Sequence, residues 1–232
     1  MLNCVIRMRC LLIGLAITAS WLGLAIAKDE AAAKENRWEK TIQGFEELDR
    51  KAMPPKGGVL FVGSSSIRMW DLNKWLPKLE TLNRGFGGSE VSDAVQFADR
   101  IILKHEPRAV AVYAGDNDLS RGKSPEQVRD DFKELVSLIH GKLPKTKIVY
   151  IAIKPSIKRW KLIDKVREAN QMIVDIAKKN EQIVFIDIDK PMIGEDGLPR
   201  KELFIPDRLH LSDEGYELWS TLVRPHIVGN SN

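Results

Sequence analysis

VLFVGSSSIRMW, Val59 to Trp70, decides the fold. Its first four residues are apolar without alternation, which is how a strand buried on both faces reads. Gly63 ends the run, three serines follow, and the chain then turns amphipathic. A hydroxyl cluster at the end of a buried strand has three readings: a helix cap, a phosphate cradle or a nucleophile.

Working outward, apolar runs of the same kind recur at Thr81–Asn83, Ala109–Ala114, Lys147–Ile153 and Ile183–Ile188. Helical patterns separate them. Val91–Lys104 carries apolar residues at Val91, Ala94, Phe97, Ala98, Ile101 and Ile102. Ser124-Pro125-Glu126-Gln127 opens the next helix with a cap, a proline in the first turn and a Gln three residues on. Gly141 and Pro144 close it, and Leu162–Lys179 and Ser212–Arg224 are two more. Strands alternating with helices predict right-handed crossovers and a parallel sheet covered on both faces, an α/β domain over residues 59–228. Residues 28–52 are rich in Ala, Glu and Lys and predict a helix that Pro54-Pro55 and Gly57-Gly58 stop. Residues 28–58 are therefore read as an N-terminal helix and linker.

Residues 1–27 differ in kind. Arg7 and Arg9 precede an apolar run from Leu11 to Ala27, and the first acidic residue is Asp29. The run ends in Ala25-Ile26-Ala27, which fits a small-x-small cleavage site, so the segment reads as a secretory signal peptide and the protein as exported. A retained N-terminal anchor is the alternative; the run is slightly short for the roughly 20 residues a span needs. Cys4 and Cys10, the two cysteines, both lie in this leader, which leaves the mature chain neither disulfides nor thiolate chemistry. Its loss takes away two arginines and no acid, lowering the net charge from +4 to +2. That is too mild a basicity to argue for nucleic acid, and no membrane-spanning segment is expected in the mature chain.

In an open parallel sheet, ligands bind beyond the carboxyl ends of the strands. Here those ends are followed by Gly63-Ser64-Ser65-Ser66, Arg84-Gly85-Phe86-Gly87-Gly88-Ser89, Gly115-Asp116-Asn117-Asp118, Lys154-Pro155-Ser156 and, further on, Asp207-Arg208-Leu209-His210. All the unusual polar and glycine-rich stretches thus fall on one rim. Acyl transfer needs a nucleophile, a base, a group that orients the base, and donors for an oxyanion. Ser65 can be the nucleophile. Of the four histidines, His105 and His140 sit at helix ends and His226 in the tail; His210 has a carboxylate, Asp207, three residues before it. Donors are available in the Ser65 and Gly88 amides and the Asn117 side chain. Each part alone has an ordinary structural reading: Ser65 as a cap, Asp207 and His210 as a surface pair, Asn117 as a turn residue, Gly87-Gly88 as a bend.

In these four blocks, Gly63 to Ser66, Asn83 to Gly88, Gly115 to Asp118 and Asp207 to His210, the sequence resembles the SGNH hydrolases, the GDSL-type esterases and lipases. The blocks occur in the family's order and span residues 59 to 220. The resemblance implies a flavodoxin-like three-layer α/β/α sandwich with a five-stranded parallel sheet. It implies Ser65 as nucleophile, His210 as base, Asp207 as its partner, and Gly88 and Asn117 as oxyanion donors. One position departs from the pattern: the family's first block usually has Asp before the nucleophile, and this chain has Ser64.

Three competing motifs fail. Gly122-Lys123-Ser124 resembles the end of a phosphate-binding loop, but Asn117 stands where that loop needs glycine. Gly85-Phe86-Gly87 lacks the third glycine of a dinucleotide fingerprint, having Glu90 there. Asp116-Asn117-Asp118 as a calcium loop would need Gly at Arg121 and Glu at Gln127. No metal site and no cofactor is inferred. Trp70, Trp75, Arg159 and Trp160 are open to two readings, a sugar-stacking or acyl-binding wall and ordinary core; Arg84, Lys154 and Arg159 either face an anionic group or form a solvated basic face. The expected activity is a metal-independent serine esterase acting on small acyl esters, with O-acetylated carbohydrate as substrate. The alternatives are a lysophospholipase or short-chain lipid esterase, and a non-catalytic carbohydrate-binding module on the same fold. No oligomeric state is assigned.

Overall fold

A computed structural model describes residues 37–228. The leader and the first residues of the expected N-terminal helix lie outside the described residues. The sheet belongs to the compact unit that begins at Thr41.

The five strands are β1 (Val59–Gly63), β2 (Thr81–Gly85), β3 (Ala109–Tyr113), β4 (Lys147–Ile151) and β5 (Ile183–Ile186). All neighbours pair in parallel, in the order β2-β1-β3-β4-β5. β1 and β3 are buried along their whole length, as their unbroken apolar runs require. Gly63 is level with Gly85 on one side and Tyr113 on the other, so the loops after β1, β2 and β3 leave from one edge. The winding reverses between β1 and β3, and the loops after these two strands part there to form a crevice.

The helices are α1 (Glu39–Lys51), α2 (Ser65–Arg68), α3 (Leu72–Trp75), α4 (Val91–Gln96), α5 (Ala98–Ile101), α6 (Asp116–Ser120), α7 (Pro125–Lys142), α8 (Ile163–Ala177), α9 (Asp189–Met192) and α10 (Asp213–Ile227). α7 starts as its sequence predicts: Ser124 Oγ accepts from the Gln127 amide at 3.3 Å and Gln127 Oε1 accepts from the Ser124 amide at 2.8 Å. It buries Val128, Phe132, Leu135 and Ile139, one face at helical spacing. Phe132 meets Tyr150 of β4 with ring centroids 4.8 Å apart. On the opposite face of the sheet, Phe61 and Tyr113 pack with Trp70, Tyr216 and Trp219. No described helix is long and apolar enough to cross a membrane.

Several element boundaries differ from expectation: β2 runs on to Gly85 and β5 ends at Ile186, and three other differences have a visible cause. The helix expected over Val91–Lys104 is interrupted at Phe97, which adopts φ −102° and ψ 7°; its ring is buried edge-on against Phe86. β4 stops at Ile151, short of Ile153. The Asn170 amide of α8 takes both backbone groups of Ile153, accepting from its N–H at 2.8 Å and donating to its C=O at 3.0 Å, so that residue leaves the ladder. α10 continues past Arg224 through Pro225 to Ile227, where Val223 and Ile227 are fully buried.

Candidate active site

Gly63 fixes where β1 must end. Its φ is +137°, and a Cβ there would lie 1.9 Å from the Tyr113 carbonyl oxygen, so no other residue fits. The chain turns at once into α2, and the three serines diverge. Ser64 is buried at the helix N-cap and its side chain makes no cap bond. Ser66 is buried, and its Oγ accepts from Lys154 Nζ at 3.2 Å. Ser65, half-buried, opens onto the crevice, where its Oγ lies 2.8 Å from His210 Nε2.

A compact turn holds His210. Asp207 Oδ1 accepts from the Leu209 and His210 amides, both at 2.9 Å, and Asp207 Oδ2 lies 2.5 Å from His210 Nδ1. Arg208, at φ +60°, supplies the left-handed residue that closes the loop. Partial burial opposes charge on Asp207, but the bonds from the His210 ring and the two amides outweigh it and hold the carboxyl down at about 2. A permanently ionised Asp207 keeps the proton of the neutral imidazole on Nδ1 and leaves Nε2 as an acceptor facing Ser65.

Asn117 enters from α6, in the loop after β3. Its Nδ2 donates to Ser89 O at 2.9 Å and its Oδ1 accepts from Arg159 Nη2 at 3.1 Å. With the amide pinned from both ends, one Nδ2 hydrogen is left for the crevice that Asn117 lines together with Ser65, Gly88 and His210. Gly88, at φ +81°, borders the same depression of about 510 Å³. Thus the five residues singled out in the sequence, Ser65, Gly88, Asn117, Asp207 and His210, meet at one place. Together they offer a hydroxyl, a base oriented by a carboxylate, and donors beside the hydroxyl.

Residues 65–218 match the GDSL-like lipase/acylhydrolase family. The chain belongs to that family. As an acylhydrolase fold it also overlays solved structures. One is a Streptococcus pneumonia protein provisionally assigned as a platelet activating factor: TM-score 0.74, 18% identity, covering 88% of this chain and 99% of that one. A GDSL-like lipase from Bacteroides thetaiotaomicron gives 0.69 at 18% identity, covering 80% and 96%. A variant of an acetyl-xylooligosaccharide esterase from Geobacillus gives 0.61 at 16% identity, covering 77% and 97%. At these identities the likeness shows the fold. No curated protein matches the chain.

The residues whose reading the sequence left open do not line the crevice of this acylhydrolase. Trp70 is core: it is 2% exposed, packs on Phe61 and Trp219, and donates from Nε1 to Ser220 Oγ at 3.2 Å. Trp75 packs against the same core, and Trp160 lies under the Arg167 guanidinium; neither lines the crevice. Arg84 points away from the rim into a buried ion pair with Asp49 of α1, which also takes Lys104 at 2.6 Å. Burial lowers the His105 imidazole to about 4 in this cluster, so it stays neutral beside Asp49. Lys154 faces inward, 2% exposed, with its Nζ 2.8 Å from Tyr113 OH and 3.1 Å from Asp116 Oδ2. Arg159 Nη1 reaches the other Asp116 oxygen at 2.6 Å. Burial alone would push the Asp116 carboxyl up; the two cations outweigh it and hold it below its ordinary range. Lys123 is likewise engaged, with Glu90, Asp118 and Asp131.

Two residues that border the crevice had no sequence argument behind them: Thr41 from α1 and Arg68 from α2. Helical spacing carried a signal for Arg68, which follows Ser65 by three residues and so shares its face. Nothing near Thr41 in the chain points to it, because α1 is brought to the rim by packing alone.

Proposed function

We propose that this acylhydrolase is a serine ester hydrolase working through an acyl-enzyme, with Ser65, His210 and Asp207 as its triad. The observation that carries the reading is the unbroken line from Asp207 Oδ2 through the His210 ring to Ser65 Oγ, with spacings of 2.5 and 2.8 Å. His210 Nε2 accepts the Ser65 proton as Oγ attacks the ester carbonyl. The Ser65 and Gly88 amides and Asn117 Nδ2 donate to the oxyanion that forms. Collapse expels the alcohol, protonated by His210, and the same imidazole then takes a proton from the water that attacks the acyl-enzyme. Nucleophile, base and oxyanion donors are all side chains or amides of this chain, so the cycle calls for no metal. The crevice supports small acyl groups: among the described residues Leu209 is the one large apolar residue bordering it, too little for a long acyl chain. O-acetylated carbohydrate fits a polar site of this kind, and the leader read at residues 1–27 supports action outside the cytoplasm.

A fluorophosphonate tests the reading directly. One adduct is expected, on Ser65, with p-nitrophenyl acetate turned over far faster than the butyryl and octanoyl esters and the phosphate ester left intact. Absence of an adduct, or an adduct elsewhere, would refute it. Two further outcomes follow. Asn117→Ala is expected to lower kcat by about 100- to 1,000-fold with little change in KM, because the lost bond exists chiefly in the transition state; kcat within a few-fold of the parent would remove Asn117 from the oxyanion hole. The pH–rate profile is also expected to carry no limb from Asp207, whose carboxyl, held down at about 2, is already ionised above that pH. A limb between pH 3 and 5 that Asp207→Asn removes would contradict its assigned state.

A further inference from the structure

We infer that Arg68 binds an anionic group of the substrate, so that the site takes esters carrying a carboxylate, sulfate or phosphate near the scissile bond. The inference rests on the hydrolase reading above and adds a substrate class to it.

Arg68 is held in place from below by bare backbone. A Cβ on Gly85 would lie 2.3 Å from the Arg68 amide nitrogen and 2.8 Å from its Cα, so the last residue of α2 sits directly on β2. A Cβ on Gly87 would lie 3.0 Å from Arg68 Nε and 3.5 Å from Cζ and Nη2, so the guanidinium lies along the Gly87 backbone. Asn83 secures the same turn, donating from Nδ2 to Ile67 O at 2.7 Å and Trp70 O at 3.2 Å. Two glycines of the Arg84–Gly88 segment, which the oxyanion role does not explain, are thereby accounted for: they are the floor under this arginine.

The charge so placed has no counterion among the described residues. Arg68 is exposed and borders the crevice with Ser65 and His210, and its guanidinium makes no hydrogen bond or ion pair among the described residues. The neighbouring cations are all engaged: Arg121 with Glu90 at 2.7 Å, Arg159 with Asp116, Lys154 with Asp116, and Lys123 with three carboxylates. Among the described residues no carboxylate borders the crevice, and the nearest in sequence to the base, Asp207, is held by His210. A planar fork of donors facing an open site without a negative partner matches a bidentate oxyanionic group, with a geometric selectivity that an ammonium would not give.

The test compares esters matched in shape and differing in charge. One pair places the anion on the alcohol side, 4-acetoxybenzoate against its methyl ester. The other places it on the acyl side, the p-nitrophenyl hemiester of succinate against p-nitrophenyl butyrate. In at least one pair, the ratio of kcat/KM for the anionic over the neutral ester is expected to fall about 10- to 100-fold in Arg68→Ala. It should fall further in Arg68→Glu, and addition of salt should lower it in the parent protein. Ratios that stay the same across the parent and both variants in both pairs would overturn the assignment. So would an equal loss on both members, which would make Arg68 an aid to the oxyanion or to folding. Failure of the hydrolase reading looks different: neither member of either pair is turned over, and Ser65 takes no fluorophosphonate.

Discussion

Ser65→Ala is expected to lower kcat for p-nitrophenyl acetate by at least about 10,000-fold and to abolish fluorophosphonate labelling, while the protein keeps its thermal midpoint. The size follows from what the hydroxyl does. Nucleophile and base act as a unit, and removing either takes away the covalent route, leaving only the modest acceleration from binding and oxyanion donors. The fold is expected to be indifferent because Ser65 Oγ has His210 Nε2 as its partner at the edge of an open crevice, and no buried donor is stranded by its loss. The adjacent hydroxyls provide the internal control. Ser66 Oγ points at Lys154 and Ser64 is buried at the cap, so neither can replace the missing nucleophile. Turnover by Ser65→Ala within 100-fold of the parent, after correction for hydrolysis without enzyme, would remove Ser65 from the mechanism.

Asp116→Ala is expected to be the most destabilising single change near the site. Asp116 is buried and pairs with two cations at once, accepting from Lys154 Nζ at 3.1 Å and lying 2.6 Å from Arg159 Nη1 as an ion pair. Removing it leaves the Lys154 ammonium with only neutral partners, Tyr113 OH and Ser66 Oγ, in a place water does not reach. Uncompensated buried charge costs about 3–5 kcal/mol, or roughly 6–20 °C in thermal midpoint for a domain of this size. Arg159 also loses its anchor, and with it the hold on Asn117 Oδ1, so kcat is expected to fall in whatever protein remains folded. The double variant Asp116→Ala with Lys154→Met should recover part of the lost midpoint, because the stranded charge is gone. A midpoint for Asp116→Ala within 2 °C of the parent would show that Lys154 is not the buried cation described above. The pH dependence has a definite sign. The folded carboxyl is held below its ordinary range, so its contribution is fully present above the unfolded carboxylate value near 4 and is lost as acid protonates it in the fold.

The arrangement of β1, β2 and β3 was legible from local pattern, since continuous apolar runs mark buried parallel strands and the residues after them must share a rim. Boundaries were less so. The break at Phe97 and the early end of β4 depend on Phe86 and Asn170, which no window around either position contains. The same limit applied to the charges. Arg84 and Lys154 lie beside rim residues in the chain, and nothing local distinguishes a lysine that faces an anion from one that faces inward. Their partners, Asp49 for Arg84 and Asp116 for Lys154, are 35 and 38 residues away.

What the sequence determined alone was the order and kind of elements, the rim on which Gly63 to Ser66 and Asp207 to His210 fall, and the residue types able to do acyl chemistry there. Tertiary structure decided which of three adjacent serines meets the imidazole, 145 residues away and 2.8 Å distant. It also decided that Lys154 and Arg159 support the site from within, and that Arg68 stands open to it. Backbone propensity and apolar periodicity act over a turn or a strand, whereas the direction a polar side chain takes is fixed by burial and by partners that only the closed sheet brings within reach.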